Sequence, residues 1–237
     1  MIRRPPRSTQ GVSSAASDVY KRQDCGPGSL ANLQQNVALN QVDAIVVSHH
    51  HPDHCAELPV AYNAYKYFTS ISGMRVISTS DVRRVTDAFQ PDGDSSDFFN
   101  WEIVADGSVA EVGDISICFS QTDHPVETLA MRFSCGEESI VYTSDTGENW
   151  SISELGFDAN IVIGEGTLLD STADPAIPHI SCRHLAAEAN EAGAKKLIVT
   201  HVPPGSDPLK HLEEASTVFE GRVELATTGR TFSATNN

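Results

Sequence analysis

The chain has 237 residues, 40% of them hydrophobic and 20% charged. That is ordinary globular composition, long enough to bury a sizeable core and incompatible with wholesale disorder. Lys and Arg total 16 against 32 Asp and Glu, a formal net charge of −16, and so acidic a surface argues against a broad nucleic-acid-binding face. No apolar run approaches the roughly 20 residues that a membrane span needs. Cys25, Cys55, Cys118, Cys135 and Cys182 are odd in number and scattered. They do not form a disulfide framework, so a reducing, cytoplasmic compartment is expected.

From Asp24 onward the sequence alternates strand-like and helix-like pieces. Asp43–Ser48 is a short apolar run, read as a buried strand. Leu58–Phe68 reads as a helix, Arg75–Thr79 as a strand, and Asp81–Gln90 as a helix capped by Asp81. A β-rich middle follows, with strands at Trp101–Ala105, Val109–Val112, Ile115–Gln121, Thr128–Cys135 and Ser139–Ser144, several of them broken at Gly or Asp-Gly as in hairpins. Ala159–Ile163 is another apolar run. Ser181–Ala192 reads as a helix stopped by Gly193, and Lys196–Thr200 as the next strand. Asp207–Phe219 is helical, with Pro208 suited to its first turn, and Arg222–Ala226 closes with a strand. Strands and helices in this mixture imply a layered α/β architecture.

Met1–Gln23, MIRRPPRSTQGVSSAASDVYKRQ, lacks apolar periodicity and has no apolar centre of the kind a signal peptide carries. It resembles translated library-adapter sequence fused to a fragmentary reading frame. On that reading residues 1–23 are a non-native, disordered leader, and 24–237 form one N-terminally truncated hydrolase domain. A genuine flexible tail is the alternative.

The strongest chemical signal is Ser48-His49-His50-His51-Pro52-Asp53-His54, directly after the first apolar strand. Read as H-x-H-x-D-H, it offers His49, His51, Asp53 and His54. Mixed imidazole and carboxylate donors suit Zn, Mn or Fe better than Mg or Ca. A surface tract binding metal adventitiously is the plainer reading. Against it, His124, Asp145 and His201 each fall just after an apolar strand, where α/β sites assemble.

H-x-H-x-D-H followed in order by His, Asp and His resembles the metallo-β-lactamase superfamily of binuclear metal hydrolases. The resemblance runs from about Asp24 to the C-terminus. It implies an αββα four-layer sandwich, here lacking its first strands and so leaving an unpaired strand edge. It also implies that His49, His51 and His124 hold one divalent ion, that Asp53, His54 and His201 hold a second, and that Asp145 bridges both. His50 occupies a non-ligand position. Ile161–Thr167 and His179–Arg183 resemble the ribonuclease Z-like branch, in which the His protonates the leaving group and the Glu orients it. Those roles fall to His179 and Glu165. His184 sits inside the following helix and reads as packed or solvated, and Cys55 and Cys182 read as packing residues.

Two close cations generate hydroxide from water at neutral pH and polarise the substrate oxygen. That chemistry suits metal-bridged hydroxide attack on a phosphodiester, with Asp53 orienting the nucleophile and His179 supplying the proton. With no Gly- and Lys-rich insertion and a strongly acidic body, a small phosphodiester such as a cyclic nucleotide is expected rather than transfer RNA. No membrane partner is expected, and a homodimer is compatible with the branch. An ester, thioester or lactone hydrolase on the same core, or an inactive metal-binding remnant, are the alternatives.

Overall fold

The structure, a computed structural model, describes residues 20–174 and 176–234. They divide into two compact units. One comprises the described residues up to Val104, with Glu111–Ile115 and Thr228–Phe232; the other comprises Ala105–Ala110, Ser116–Thr227 and the described residues from Ser233 onward.

The first unit contains β1 (Tyr20–Gln23), α1 (Ser29–Gln34), β2 (Val42–Val47), α2 (Pro52–Cys55), α3 (Leu58–Phe68), β3 (Met74–Ser78), α4 (Ser80–Asp87) and β4 (Phe99–Ile103). Its sheet is four-stranded, in the order β1-β2-β3-β4, with every pairing parallel. Ala44–Val47 are all fully buried, so β2 reads as a continuous apolar run, as a parallel strand covered on both faces must. Leu58, Ala61, Tyr62 and Tyr65 recur at helical spacing and turn α3 onto this core.

The expected leader, 1–23, overlaps this sheet. Residues 1–19 lie outside the described residues, but Tyr20–Gln23 form β1, with Lys21, Arg22 and Gln23 opposite Ala44, Ile45 and Val46. Strand pairing uses backbone groups and so needs no apolar alternation in the joining segment. Arg22 is buried there, donating to Ser29 Oγ at 2.6 Å and lying 3.5 Å from a Glu57 carboxylate oxygen. β2 is therefore paired on both sides.

The expected cap of the second helix also shifts. α4 begins at Ser80 with Thr79 at the N-cap, and Asp81 sits in the first turn, 3.0 Å from Arg84 Nε. One residue inside the helix, Asp81 is placed for an i,i+3 ion pair on the helix surface rather than for capping.

The remaining strands are β5 (Val109–Val112), β6 (Ile115–Gln121), β7 (Leu129–Cys135), β8 (Glu138–Tyr142), β9 (Ile161–Glu165), β10 (Lys196–Thr200) and β11 (Arg222–Leu225), accompanied by helices α5 (Cys182–Glu191) and α6 (Pro208–Ser216). They form a seven-stranded mixed sheet ordered β11-β10-β9-β8-β7-β6-β5. Pairings from β8 through β11 are parallel, while β6-β7 and β7-β8 are antiparallel. β6, β8, β9 and β10 therefore run in one direction, and their C-terminal ends share one edge of the sheet. α5 starts where Ser181 Oγ accepts from the His184 amide, and it stops at Gly193, which adopts φ 70°. Asp207 caps α6 by accepting from the Leu209 amide at 3.0 Å. Leu185, Ala186 and Ala189 of α5 pack on Val162, Leu197 and Val199 of the sheet. Gly164 permits the close approach: a Cβ there would lie 2.2 Å from a Leu185 methyl.

Candidate metal centre

In the first unit β2 delivers the chain into the turn Ser48–His51 and then into α2, with His51 at the N-cap and Pro52 at the first helical position. Asp53 enters the first turn, where a carboxylate complements the helix dipole, and His54 follows it into the helix. His49 and His54 are buried and their rings lie 4.1 Å apart. His49 Nε2 and His51 Nδ1 approach to 3.1 Å, and His54 Nε2 lies 3.5 Å from Asp53 Oδ2. His50 turns instead toward Asp81, with its Nδ1 3.9 Å from the carboxylate.

Asp24 is a residue that sequence reasoning passed over. It leaves β1 in the left-handed region, φ 55°, a conformation costly for a non-glycine residue. Its Oδ1 accepts from the Ser48 amide at 2.8 Å, and Oδ2 accepts from Ser48 Oγ at 3.0 Å and from His54 Nδ1 at 2.7 Å. Burial alone would raise its pKa. The His54 charge and hydrogen bond, with the Ser48 amide, hold the carboxyl below the usual range. Ser48 Oγ, with its own hydrogen given to Asp24, accepts from His49 Nδ1 at 3.0 Å. Gly26 is a second such residue. A Cβ there would lie 1.8 Å from the Asp53 carbonyl oxygen, so only glycine lets the β1 exit pass the Asp53–His54 backbone.

In the second unit the shared sheet edge gathers the other candidates. His124 follows β6, Asp145 follows β8, Glu165 ends β9, and His201 follows β10 with φ 59°. Parallel register sets Thr200 beside Glu165. His201 Nε2 lies 3.5 Å from Asp145 Oδ1, whose side chain is buried. Glu165, 1% exposed, accepts at Oε1 from His179 Nδ1 at 2.9 Å and from the Thr146 amide at 2.8 Å. The His179 ring stacks on His201 at 5.3 Å and lies 5.4 Å from His124. Burial disfavours charge on His179, but the Glu165 hydrogen bond and charge, with that of Asp145, outweigh it and leave its pKa raised. His184 lies within α5, half-buried.

The donor chemistry fits a divalent ion. A tetrahedral ion with bonds near 2.0–2.1 Å holds neighbouring donors about 3.3 Å apart. The pairs His49–His51, Asp53–His54 and Asp145–His201 stand at 3.1, 3.5 and 3.5 Å. The outer nitrogens are anchored as metal-binding imidazoles require: Nδ1 of His49, His54, His124 and His201 faces Ser48, Asp24, the Pro178 carbonyl and Thr167 respectively. With Nδ1 carrying the hydrogen, Nε2 keeps its lone pair. Asp24→Asn is therefore expected to weaken zinc affinity by about 10–100-fold, measured by competition with a chromophoric chelator. An unchanged affinity in the folded variant counts against this role.

The Beta-lactamase superfamily domain matches residues 23–202. The chain is 28% identical to the probable metallo-hydrolase YhfI of Bacillus subtilis (strain 168), over 94% of this chain and 91% of that one. The crystal structure of YhfI superposes with a TM-score of 0.81 at 25% identity, covering 91% of this chain and 88% of the other. A ribonuclease Z of Methanopyrus kandleri is 27% identical over 90% of this chain and 87% of its own length. Human tRNase Z, short form, has the same fold, with a TM-score of 0.75 at 16% identity, covering 95% of this chain and 92% of the other. Among the described residues no helix is long and apolar enough to cross a membrane. The chain belongs to the beta-lactamase superfamily and is a metal-dependent hydrolase related to ribonuclease Z.

Proposed function

We propose that this hydrolase is a phosphodiesterase with two divalent ions, zinc first among them, acting on a small phosphodiester such as a cyclic nucleotide. In this reading His49, His51 and His124 hold one ion, Asp53, His54 and His201 hold the other, and Asp145 bridges them. Bound there, the ions supply Lewis acidity and lower the pKa of water.

The observation that carries the choice of phosphodiester is the Glu165–His179 pair beside His201. Hydrolysis of a phosphodiester expels an alkoxide, which needs a proton as it leaves. His179 commits Nδ1–H to the Glu165 carboxylate, so the proton for transfer resides on Nε2. The raised pKa keeps that nitrogen protonated over more of the neutral range. The buried carboxylate fixes the ring plane and stabilises the imidazolium between turnovers. Asp53, with a side chain 60% exposed, orients the attacking water. Preference for a small substrate over transfer RNA rests on the net charge of −16, which repels an extended polyanion everywhere but at the cations. The odd, scattered set of five cysteines supports a cytoplasmic setting.

The test sets a cyclic nucleotide and bis(p-nitrophenyl) phosphate against a lactone and thioester panel. Phosphodiester turnover above that of every lactone and thioester is expected. Faster lactone turnover that is indifferent to His179→Ala would replace this reading with an acyl hydrolase on the same core.

A further inference from the structure

We propose that Thr167 is a positioning residue that joins the ligand histidine His201 to the proton-donating pair Glu165–His179; the second half of this inference rests on the phosphodiesterase reading. Thr167 Oγ1 lies 2.5 Å from Glu165 Oε2 and 2.7 Å from His201 Nδ1. A hydroxyl has one hydrogen to give. Two acceptors face it, Glu165 Oε2 at 2.5 Å and the His201 carbonyl at 3.3 Å, and the hydrogen goes to the nearer, Glu165. His201 Nδ1 must then donate to Oγ1, which fixes the tautomer with a lone pair on Nε2. One hydroxyl thereby sets the imidazole that would face the ion, and it also occupies the carboxylate oxygen that His179 does not use. The resulting chain runs from His179 Nδ1 through Glu165 and Thr167 to His201 Nδ1.

The backbone holds this hydroxyl in place from several sides. The Gly166 amide donates to the Thr200 carbonyl at 2.9 Å, and Gly166 cannot accept a side chain, because a Cβ would meet Cys182 Sγ and Val199 Cγ1 at 2.6 Å each. The Gly166 carbonyl accepts from His211 Nδ1 at 2.7 Å, and His211 is 1% exposed. A carbonyl cannot donate, so Nδ1 carries the hydrogen of that bond, and His211 Nε2 meets Ser206 Oγ at 2.6 Å. The His211 imidazole from α6 therefore ties the turn before Thr167 to the loop after His201. Farther along, Leu168 pairs with Ser181, which brings the His179 segment alongside.

Thr167→Val keeps the shape and removes the hydroxyl; Thr167→Ser keeps the hydroxyl and removes the methyl. The valine variant is expected to lose about 10–100-fold in zinc affinity, read by chelator competition. Its kcat on a cyclic nucleotide should fall further than its kcat on bis(p-nitrophenyl) phosphate, with little change in KM. Thr167→Ser should restore both. If valine disrupts folding, Thr167→Ala adds no bulk and gives the same two readings. Equal zinc affinity in the folded valine or alanine variant and the wild type overturns the His201 half, and an unchanged ratio of kcat between the two substrates overturns the Glu165 half. Failure of the phosphodiesterase reading shows separately, as absence of phosphodiester turnover by the wild type. The Glu165 half then falls with it, and zinc affinity still decides the His201 half.

Discussion

His179→Ala is expected to lower turnover of a cyclic nucleotide by about 10²–10⁴-fold, the usual contribution of a positioned general acid. That corresponds to about 3–5 kcal/mol of transition-state stabilisation. The same change should cost bis(p-nitrophenyl) phosphate less than about tenfold, because nitrophenolate is stable in neutral water and departs without a proton. The ratio of the two losses is the diagnostic quantity, since a general structural defect would lower both rates alike. Folding should survive the substitution. Glu165 Oε1 keeps its hydrogen bond from the Thr146 amide and Oε2 keeps that from Thr167, so neither oxygen is left without a donor. Equal losses on the two substrates, measured as kcat under saturating conditions, would remove the proton-donor role from His179.

The parts of this molecule that were legible in the sequence are those encoded locally. His49, His51, Asp53 and His54 stand within six residues, after a strand recognisable from Ile45-Val46-Val47, so their convergence needs only one turn and the start of α2. Asp145 and His201 announce themselves as polar residues at the ends of apolar strands, and the parallel register of β8, β9 and β10 brings such ends to one edge. Glu165 and His179 are farther apart, but one ends a strand and the other precedes a well-capped helix.

What escaped the sequence reading depends on pairings between distant segments. β1 carries Lys21-Arg22-Gln23, which has no apolar alternation, and its place is set by backbone bonds to β2. Asp24 gains its meaning only through that pairing, because the exits of β1 and β2 lie side by side and the Asp24 amide donates to the Val46 carbonyl at 2.8 Å. A signal was nonetheless present: Asp24-Cys25-Gly26-Pro27-Gly28 places an acid directly before a turn rich in Gly and Pro. The link between Thr167 and His211 was invisible for a similar reason. His211 belongs to no recognisable spacing, and 43 residues of intervening chain separate it from Thr167, whose segment the fold joins to it through the carbonyl of Gly166. The start of α4 lies one residue earlier than expected, so Asp81 falls in its first turn and pairs with Arg84 instead of capping.

Asp145→Ala should abolish hydrolysis while leaving most of the fold standing. In the proposed arrangement this carboxylate is the sole ligand common to both ions. Its loss should release at least one ion and with it several kcal/mol of charge stabilisation, about 10³-fold or more in rate. Metal content measured by mass spectrometry is expected to fall from about two ions per chain in the wild type to one or fewer. The fold is expected to persist because the local backbone contact belongs to the main chain: Thr122 Oγ1 donates to the Asp145 carbonyl at 2.7 Å, which alanine preserves. A ligand that binds only the native state raises its stability, so chelation should lower the melting temperature of the wild type more than that of Asp145→Ala. Asp145→Asn separates charge from shape, since the amide retains one oxygen donor but carries no negative charge; it should fall between wild type and alanine in metal content and near alanine in rate. Full metal loading and wild-type turnover in a folded Asp145→Ala protein would dismantle the two-ion arrangement, because the proposal gives no other residue the task of holding both cations together.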